Sequence, residues 1–274
     1  MASYSKQQTA YSVFKRRAKV DVLESAVRTS RQRHPWERAR SYTVRDVLKE
    51  KLSKPNMTVL DVGCGDGYLV TELAEQYSTH QFIGFDPERK GLYSVAEASQ
   101  RPLNLKFIDD LKQGSTASSV DVLLLLDVLE HIDDDATFLE ELLKHVKFSN
   151  KAEILVTVPS FQCLWSPRDD FLKHYRRYSL SSLSRLISKS VSWKIRHKGY
   201  FFFSLLVPRA FQAIWGKFKK NKPKSTSLSS WHINRHLTSI VVFVLILDYK
   251  VCRFLASFKI FLPGLSCFLH LQRQ

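Results

Sequence analysis

The chain has 274 residues, of which 44% are hydrophobic, and it carries a formal net charge of +16. This length and apolar content suit one large domain, or one domain with an appendage, around a packed core. Its four cysteines are scattered without a CxxC pair, which argues against a zinc ribbon or a disulfide framework and predicts a reducing, cytoplasmic compartment.

Helices and strands alternate along the chain after a basic N-terminal segment, residues 1–33, that lacks the apolar core of a secretory signal. Apolar spacing predicts helices at 38–53, 68–77 and 135–146, with a weaker one at 90–100. Short apolar runs predict strands at 57–63, 81–87, 105–110, 120–126 and 152–160. Because these strands are continuously apolar, the pattern predicts an α/β fold with a doubly wound, largely parallel sheet covered by helices on both faces.

A glycine-rich turn, "VLDVGCGDGYL", connects the first predicted strand to the helix after it. Glycines at Gly63, Gly65 and Gly67 allow a ligand to approach the backbone closely. A dinucleotide fingerprint has a further glycine where this chain has Tyr68, so the turn favours a smaller nucleoside. Asp86 ends the next strand, where a carboxylate can accept both hydroxyls of a ribose.

These segments resemble the class I S-adenosylmethionine-dependent methyltransferases, in "VLDVGCGDGYL", "GFDP", "FIDDL" and "LLLLDVLEHI". A narrower likeness to small-molecule and lipid-type members lies in "LEHI", the HYRRYS segment and the upstream "HPWERAR". The resemblance implies a Rossmann-like, seven-stranded sheet with an antiparallel last strand; the sixth and seventh strands would be 191–197 and 265–272. It also implies a core at 34–200, a helical apolar and basic insertion at 201–258, and a returning strand within 259–274.

The same resemblance implies S-adenosylmethionine as the cofactor. The glycine-rich first motif would hold the methionine part and the ribose. The end of the second strand would bind the ribose hydroxyls and lie against the adenine. The end of the third strand would face the adenine amino group, and the end of the fourth strand would line the floor of the site near the methyl group. The implied positions are Asp61, Gly63, Cys64, Gly65, Asp86, Pro87, Asp109, Asp110, Leu126 and Asp127. Members of the family often carry glutamate or another polar residue where this chain has Asp127.

Two histidines are candidate catalytic bases, because each follows a strand at the carboxyl edge where open α/β sheets bind ligands. His131 follows the fourth strand and His174 the fifth, and a base is useful when the acceptor is a hydroxyl. A structural loop histidine remains the alternative for each. The predicted acceptor-binding residues are Tyr175, Arg176, Arg177, Tyr178, Trp36 and Arg38. Arginine suits an anionic acceptor, although a basic surface loop and a simple packing tryptophan remain open.

The segment "DVLEH" raises the question of a metal. Asp127, Glu130 and His131 fall within one helical turn, and His174 could add a ligand suited to several divalent ions. Similar "LEHI" segments also occur in relatives that bind no metal. We therefore predict activity without a metal ion.

Residues 199–262 combine aromatic, basic and apolar stretches in a part of the chain where charge is strongly positive. Net charge is +9 over 1–60, −10 over 61–150 and +17 over 151–274. Five lysines lie between Lys217 and Lys224, and the apolar run 239–247 is too short to span a bilayer. The composition leaves three interpretations open: a lid that receives a greasy acceptor, a surface that contacts anionic membranes, and an enlarged core.

Together these features predict a methyltransferase that acts on a small or lipid-linked acceptor, most simply at a hydroxyl. It would be cytoplasmic, with peripheral membrane contact as an open possibility, and its oligomeric state stays undetermined. The basic flanks keep an RNA methyltransferase as an alternative. However, the fourth strand lacks the Pro-Pro-aromatic motif of exocyclic-amine methyltransferases, and no RNA-binding module is recognisable, which argues against a nucleic-acid partner. A non-catalytic binding module is a third alternative, disfavoured by the intact glycines and acids.

Overall fold

One mixed sheet organises the protein, whose computed structural model describes residues 33–87, 101–111, 119–211 and 235–274. The strands are β1 (Thr58–Val62), β2 (Gln81–Phe85), β3 (Leu105–Ile108), β4 (Val120–Leu126), β5 (Phe148–Pro159), β6 (Lys194–Phe201) and β7 (Ser266–Gln272). They lie in the order β3-β2-β1-β4-β5-β7-β6. Only β7 is antiparallel to its neighbours in this sheet, which confirms the predicted Rossmann-like fold with an antiparallel last strand.

Helices cover both faces of this sheet. They are α1 (Pro35–Leu52), α2 (Tyr68–Gln76), α3 (Asp135–His145), α4 (Pro167–Phe171), α5 (Leu180–Ser190) and α6 (Arg235–Ser257). Buried side chains of α3 and α5 pack on one face, and those of α1, α2 and α6 pack on the other. Both faces of the strands are therefore apolar, as the continuous hydrophobic runs predicted.

Several element boundaries differ from the sequence prediction; the fifth strand, for example, begins at Phe148 rather than at 152. The first helix begins at Pro35 because His34 caps it, with the His34 side chain accepting from the Trp36 amide. The sixth strand lies at Lys194–Phe201 rather than 191–197, so that prediction was wrong by several residues. Val191 still closes α5, and the strand must reach Phe201 to pair with Ser266 at the start of β7.

The insertion between β6 and β7 is partly described. It contains a 3-10 turn at Phe203–Leu205, helical residues 206–211 and the 23-residue helix α6. Among the described residues, no helix combines the length and apolarity that crossing a membrane requires. Residues 1–32, the predicted helix at 90–100 and the lysines of 217–224 lie outside the described residues.

Candidate active site

The glycine turn joins β1 to α2 at the carboxyl edge of the parallel strands. Its glycines, Gly63, Gly65 and Gly67, have φ of 77°, 55° and 78°, in the left-handed region that favours glycine. The amides of Gly63 and Cys64 both donate to the carbonyl of Phe85, at 2.7 and 3.2 Å. These two bonds hold the turn against the end of β2.

Asp86 follows β2 directly and contacts the same turn. The amide of Gly65 donates to Asp86 Oδ2 at 2.9 Å, and Asp86 is only 6% exposed. Pro87, next in the chain, is also buried. The structure therefore brings the predicted ribose-binding carboxylate against the predicted cofactor turn.

Space beside the turn differs sharply between two of its glycines. A Cβ added at Gly63 would lie 2.5 Å from Val128 Cγ2, so Gly63 is needed for the turn to pack against the end of β4. A Cβ added at Gly65 would meet no atom within 4 Å. Gly65 thus faces open space at the edge where α/β sheets bind ligands, and the turn fits a bound nucleoside there.

Four other predicted cofactor positions lie on, or directly after, three of the strands. Asp61 is buried within β1, and Leu126 is buried at the last residue of β4. Asp109 and Asp110 follow β3, the first exposed and the second half-buried. All four are close to the carboxyl ends of parallel strands, and their contacts with the cofactor stay predictions.

Asp127 follows β4 in a left-handed conformation, with φ of 57°. Its Oδ1 accepts from the Thr157 hydroxyl at 3.0 Å, and its Oδ2 accepts from Arg40 Nη1 at 2.6 Å. Both oxygens are therefore held from within the protein. The Arg40 contact also ties the start of α1 to the floor of the candidate site.

Trp36 and Arg38 lie in the first turns of α1 and are half-buried. The guanidinium carbon of Arg40 lies 5.1 Å from the centre of the Trp36 ring, a distance typical of a cation–π contact. Trp36 therefore supports the arginine that holds Asp127. The role of Trp36 and Arg38 in binding the acceptor stays a prediction.

The structure brings together the two predicted catalytic histidines, although 42 residues separate them in the chain. The rings of His131 and His174 meet edge to face, with centroids 4.7 Å apart. Glu130 lies beside them, fully buried, and its Oε2 has no hydrogen-bond partner. Burial raises the pKa of Glu130 well above its usual range, and the nearby Asp127 carboxylate adds to the rise.

Asp169 fixes the orientation of His174 from inside the protein. Asp169 Oδ1 lies 3.0 Å from His174 Nδ1 and accepts from Arg177 Nε at 2.7 Å. Asp169 Oδ2 accepts from Arg209 Nη2 at 2.9 Å. Burial would raise the pKa of Asp169, but the hydrogen bonds from His174 and Arg177 outweigh it and hold the pKa well below its usual range.

An ionised Asp169 determines which nitrogen of His174 carries the proton. A carboxylate only accepts hydrogen bonds, so the proton of a neutral His174 lies on Nδ1. The lone pair is then on Nε2, on the far side of the ring from Asp169. This is the tautomer that a general base requires.

The remaining residues of the HYRRYS segment hold it to the fold. The Tyr175 amide donates to the Glu130 carbonyl at 2.7 Å, and Arg176 Nη1 pairs with Asp135 at 2.9 Å. Tyr178 is buried, and its hydroxyl lies 2.7 Å from Asp135 Oδ2. Burial, together with that hydrogen bond, raises the pKa of Tyr178.

Those contacts give Arg177 and Tyr178 structural roles. Arg177 also donates to the Ser160 carbonyl at 3.0 Å, so its guanidinium is bonded on two sides. Tyr175 and Arg176 are half-buried and lie nearer the surface. Acceptor binding by these four residues stays a prediction, with Tyr175 and Arg176 in the better position for it.

Glu130, His131 and His174 are also the group best placed for a metal ion among the described residues. Their ligand atoms lie within 4.8 Å of one another. A carboxylate and two imidazoles suit several divalent ions. Against this, the raised pKa of Glu130 favours a neutral carboxyl, which is a poor ligand, and activity without a metal stays our prediction.

Sequence reasoning missed the roles of Asp169, Arg209 and Arg40. Asp169 lies in "SPRDDF", where Ser166 and Asp169 form a capping box at the start of α4, which gives a local reason for the acid. Arg209 reaches Asp169 from 40 residues away. No local pattern signals a contact over that distance.

Comparisons with known proteins point to one family. A family model described as a methyltransferase domain matches residues 36–205. The trans-aconitate 2-methyltransferase of Azoarcus sp. is 30% identical over 108 residues, 39% of this chain and 42% of that protein. The ubiquinone biosynthesis O-methyltransferase of Rhizobium rhizogenes is 31% identical over 94 residues, 33% of this chain and 37% of that protein. The matched regions thus span less than half the length of these curated relatives.

Solved structures show the same fold at lower identity. The plantazolicin methyltransferase BpumL in complex with SAH has a TM-score of 0.53 and 18% identity, covering 98% of this chain and 96% of that chain. Coclaurine N-methyltransferase bound to N-methylheliamine and SAH has a TM-score of 0.50 and 14% identity, covering 85% and 72%. At such identities the likeness shows the shared architecture alone.

Proposed function

Because the chain belongs to the S-adenosylmethionine-dependent methyltransferase family, we propose that it methylates a hydroxyl group of a small or lipid-linked acceptor. The observation that carries the proposal is the 3.0 Å contact between His174 Nδ1 and Asp169 Oδ1. It prepares His174 Nε2 as a base at the edge of the sheet where the cofactor turn lies. Relatives by their names act on different acceptor atoms, so the argument for a hydroxyl rests on this base.

Residues of the glycine turn and the neighbouring strand ends would hold the cofactor. In the proposal, Gly63 and Gly65 leave room along the backbone, Asp86 accepts from the ribose hydroxyls, and Asp109 or Asp110 meets the adenine amino group. When bound, S-adenosylmethionine supplies a methyl group that its sulfonium already activates. The protein's main contribution is then to position the acceptor.

His174 would remove the acceptor's proton as the new bond forms. Nε2 accepts the hydroxyl proton, and the ionised Asp169 stabilises the resulting imidazolium through Nδ1–H. A carboxylate acceptor is already an anion at neutral pH and needs no such base. A hydroxyl has a much higher pKa and benefits from one, which favours O-methylation of a hydroxyl over ester formation.

The rest of the proposal concerns where the acceptor comes from. The insertion before β7 exposes many apolar side chains close to the site, which favours a greasy or lipid-linked molecule. We place the protein in the cytoplasm, where it would meet such an acceptor at a membrane surface. Nucleic acid is not part of this proposal.

Labelled methyl transfer tests the acceptor atom directly. The protein is incubated with methyl-labelled S-adenosylmethionine and separate lipid and aqueous metabolite extracts, with heat-treated protein as the control. We expect a labelled product in the lipid extract that keeps its label through mild alkali and stays in the organic phase after washing with acid. Loss of the label in alkali would indicate a methyl ester, and transfer into the acid wash would indicate an amine; either result contradicts a hydroxyl acceptor.

A further inference from the structure

Helix α6 is apolar on two opposite sides. One side is buried against the fold, through residues such as Val242, Leu245 and Tyr249. The opposite side exposes large apolar side chains to between 46% and 66%: Leu237, Ile240, Phe243, Val244, Leu247, Val251 and Phe254. At 3.6 residues per turn these seven form a stripe about 120° wide along the helix. Water therefore contacts a broad apolar stripe along this helix.

The stripe continues onto neighbouring parts of the insertion. Phe258, Ile260 and Phe261 follow α6 and are exposed, as are Phe203, Val207 and Phe211 on the 203–211 segment. The Asp248 carboxylate joins the two parts, because it accepts from the Phe203 amide at 3.0 Å and from the Ser204 amide at 2.6 Å. We call these thirteen exposed residues the apolar face.

An apolar face of this size is unusual on a monomer in water. Seven half-exposed side chains on α6 alone expose roughly 600 Å² by the typical areas of such residues, at or above the largest patch of ordinary soluble monomers. Contiguous patches of this extent mark contacts with proteins or membranes. The charges around the face indicate which of these it is.

Positive charge surrounds the apolar face, and almost no negative charge opposes it. Asp248 is the only acidic residue after position 170 in the sequence, and backbone amides already bind its carboxylate. Lys250 is the one charged residue among the exposed positions of α6 between Leu237 and Phe254. Lys259 is exposed just beyond the helix, and Lys198 Nζ lies 5.8 Å from the centre of the Phe261 ring.

This charge pattern favours a lipid surface over a second copy of the chain. In a twofold dimer the face would meet itself and bring lysines of one copy against lysines of the other, while the nearby Asp46 carboxylate of α1 already contacts Arg253 and the Tyr249 hydroxyl. Anionic headgroups would pair with the lysines while the apolar side chains enter the acyl boundary. Since no described helix has the properties of a membrane span, the contact would be interfacial.

The apolar face also borders the candidate active site. Arg209 lies in the 203–211 segment between the exposed Val207 and Phe211, and it donates to the Asp169 carboxylate that holds His174. Because β6 runs parallel to β5, its carboxyl end lies at the same edge of the sheet as the glycine turn. An acceptor held at this surface would have its polar end near His174.

From these relationships we propose that the apolar face docks on an anionic membrane surface and that acceptors reach His174 from the lipid. The proposal of docking depends only on the exposed side chains and the charges around them. The delivery of an acceptor rests on the proposed function. The following experiment separates the two.

Vesicle flotation without cofactor or acceptor tests docking. The probes are vesicles of phosphatidylcholine alone and of phosphatidylcholine with phosphatidylglycerol, each at low and high salt. We expect the full chain to float with the anionic vesicles, and raised salt to weaken the binding without abolishing it, because apolar burial is not screened.

Two variants separate the apolar and charged contributions. Phe243→Ser together with Phe254→Ser should weaken binding at least about tenfold, because two aromatic side chains no longer enter the lipid. Lys250→Glu should weaken binding to anionic vesicles at low salt and leave the weaker binding to neutral vesicles unchanged. The control is Leu103→Ser, which removes a fully exposed apolar side chain far from α6 in the sequence, next to β3 on the opposite edge of the sheet.

Unfolding midpoints and S-adenosylmethionine affinity of each variant should match those of the wild type, so that lost flotation reports docking. Docking is overturned if the wild type does not float, or if the double variant floats as well as Leu103→Ser. It is also overturned if sedimentation shows a wild-type dimer that the double variant converts to monomer, since a second copy then covers the face. Flotation with no methylation of any lipid would keep docking and refute the delivery of acceptors.

Discussion

His174 and Asp169 lie five residues apart, and the α4 region folds so that Nδ1 of the histidine meets Oδ1 of the carboxylate at 3.0 Å. Asp169 is itself 1% exposed and is shared with Arg177 and Arg209. The carboxylate therefore does two things: it orients His174, the proposed base, and it neutralises two largely buried guanidiniums. Replacing it should affect both turnover and stability.

We expect Asp169→Asn to lower turnover at least about tenfold, because the amide cannot stabilise an imidazolium. It should also lower the free energy of unfolding by about 3 kcal/mol, since two buried cations lose their partner. Initial rates and denaturant unfolding measure these effects. Asp170→Asn is the matched control: Asp170 is the next residue, is exposed and bonds Trp165 Nε1. Equal behaviour of the two variants would contradict the role of Asp169.

The stability that Asp169 contributes should depend on pH. Its folded pKa is held below the unfolded value of about 3.9, so its contribution is fully present above about pH 5 and is lost as the pH falls through and below 4. The difference in unfolding free energy between wild type and Asp169→Asn should therefore shrink between pH 6 and pH 3. A difference that stays constant or grows as the pH falls would show that Asp169 is not ionised by its neighbours.

Substitutions at two glycines of the turn should have different effects, one mainly on stability and the other mainly on cofactor binding. Gly63→Ala forces Cβ against Val128 in addition to backbone strain, and we expect a loss of about 3 kcal/mol in unfolding free energy. Gly65→Leu carries the backbone strain alone and should cost about 1 kcal/mol, yet its side chain fills the open space beside the turn and should abolish cofactor binding. Calorimetry with S-adenosylmethionine and unfolding curves measure both. Normal cofactor affinity in Gly65→Leu would show that the cofactor lies elsewhere.

Methyl transfer should proceed without a divalent ion. Burial raises the pKa of Glu130 well above its usual range, which favours the neutral carboxyl, a poor metal ligand, in the one group of three candidate ligands among the described residues. We expect the rate to be unchanged after dialysis against a chelator. A loss of activity that zinc or magnesium restores in wild type, but not in Glu130→Gln, would contradict this prediction.

Much of the sheet could be predicted because continuous apolar strands and a glycine turn are local signals. Val120–Leu126 was placed to the residue, since six of its seven positions are buried and leave little freedom. The sixth strand was misplaced because its register depends on pairing with β7, 65 residues or more further along the chain. Local patterns carry no information about such a partner.

In the candidate site, too, some features could be predicted from local sequence and others depend on contacts that only the structure shows. His131 and His174 could be predicted to meet, because both follow strands whose carboxyl ends share an edge. Tyr178 looked equally suited to bind an acceptor, but only the structure reveals the bond from its hydroxyl to Asp135. The role of Asp169 escaped notice because its capping box explained the acid locally and because Arg209 reaches it from 40 residues away.

The most direct test of this account is the rate of labelled methyl transfer by wild type and His174→Ala, using the lipid-extract product as the readout. The control is His145→Ala, which removes an exposed histidine in the last turn of α3, whose Nδ1 lies 2.7 Å from the Glu141 carbonyl of the same helix. We predict that His174→Ala loses at least about tenfold in rate, keeps S-adenosylmethionine affinity and regains part of its rate as the pH rises, whereas His145→Ala matches the wild type. Unchanged turnover in His174→Ala would contradict the central claim that this histidine activates the acceptor.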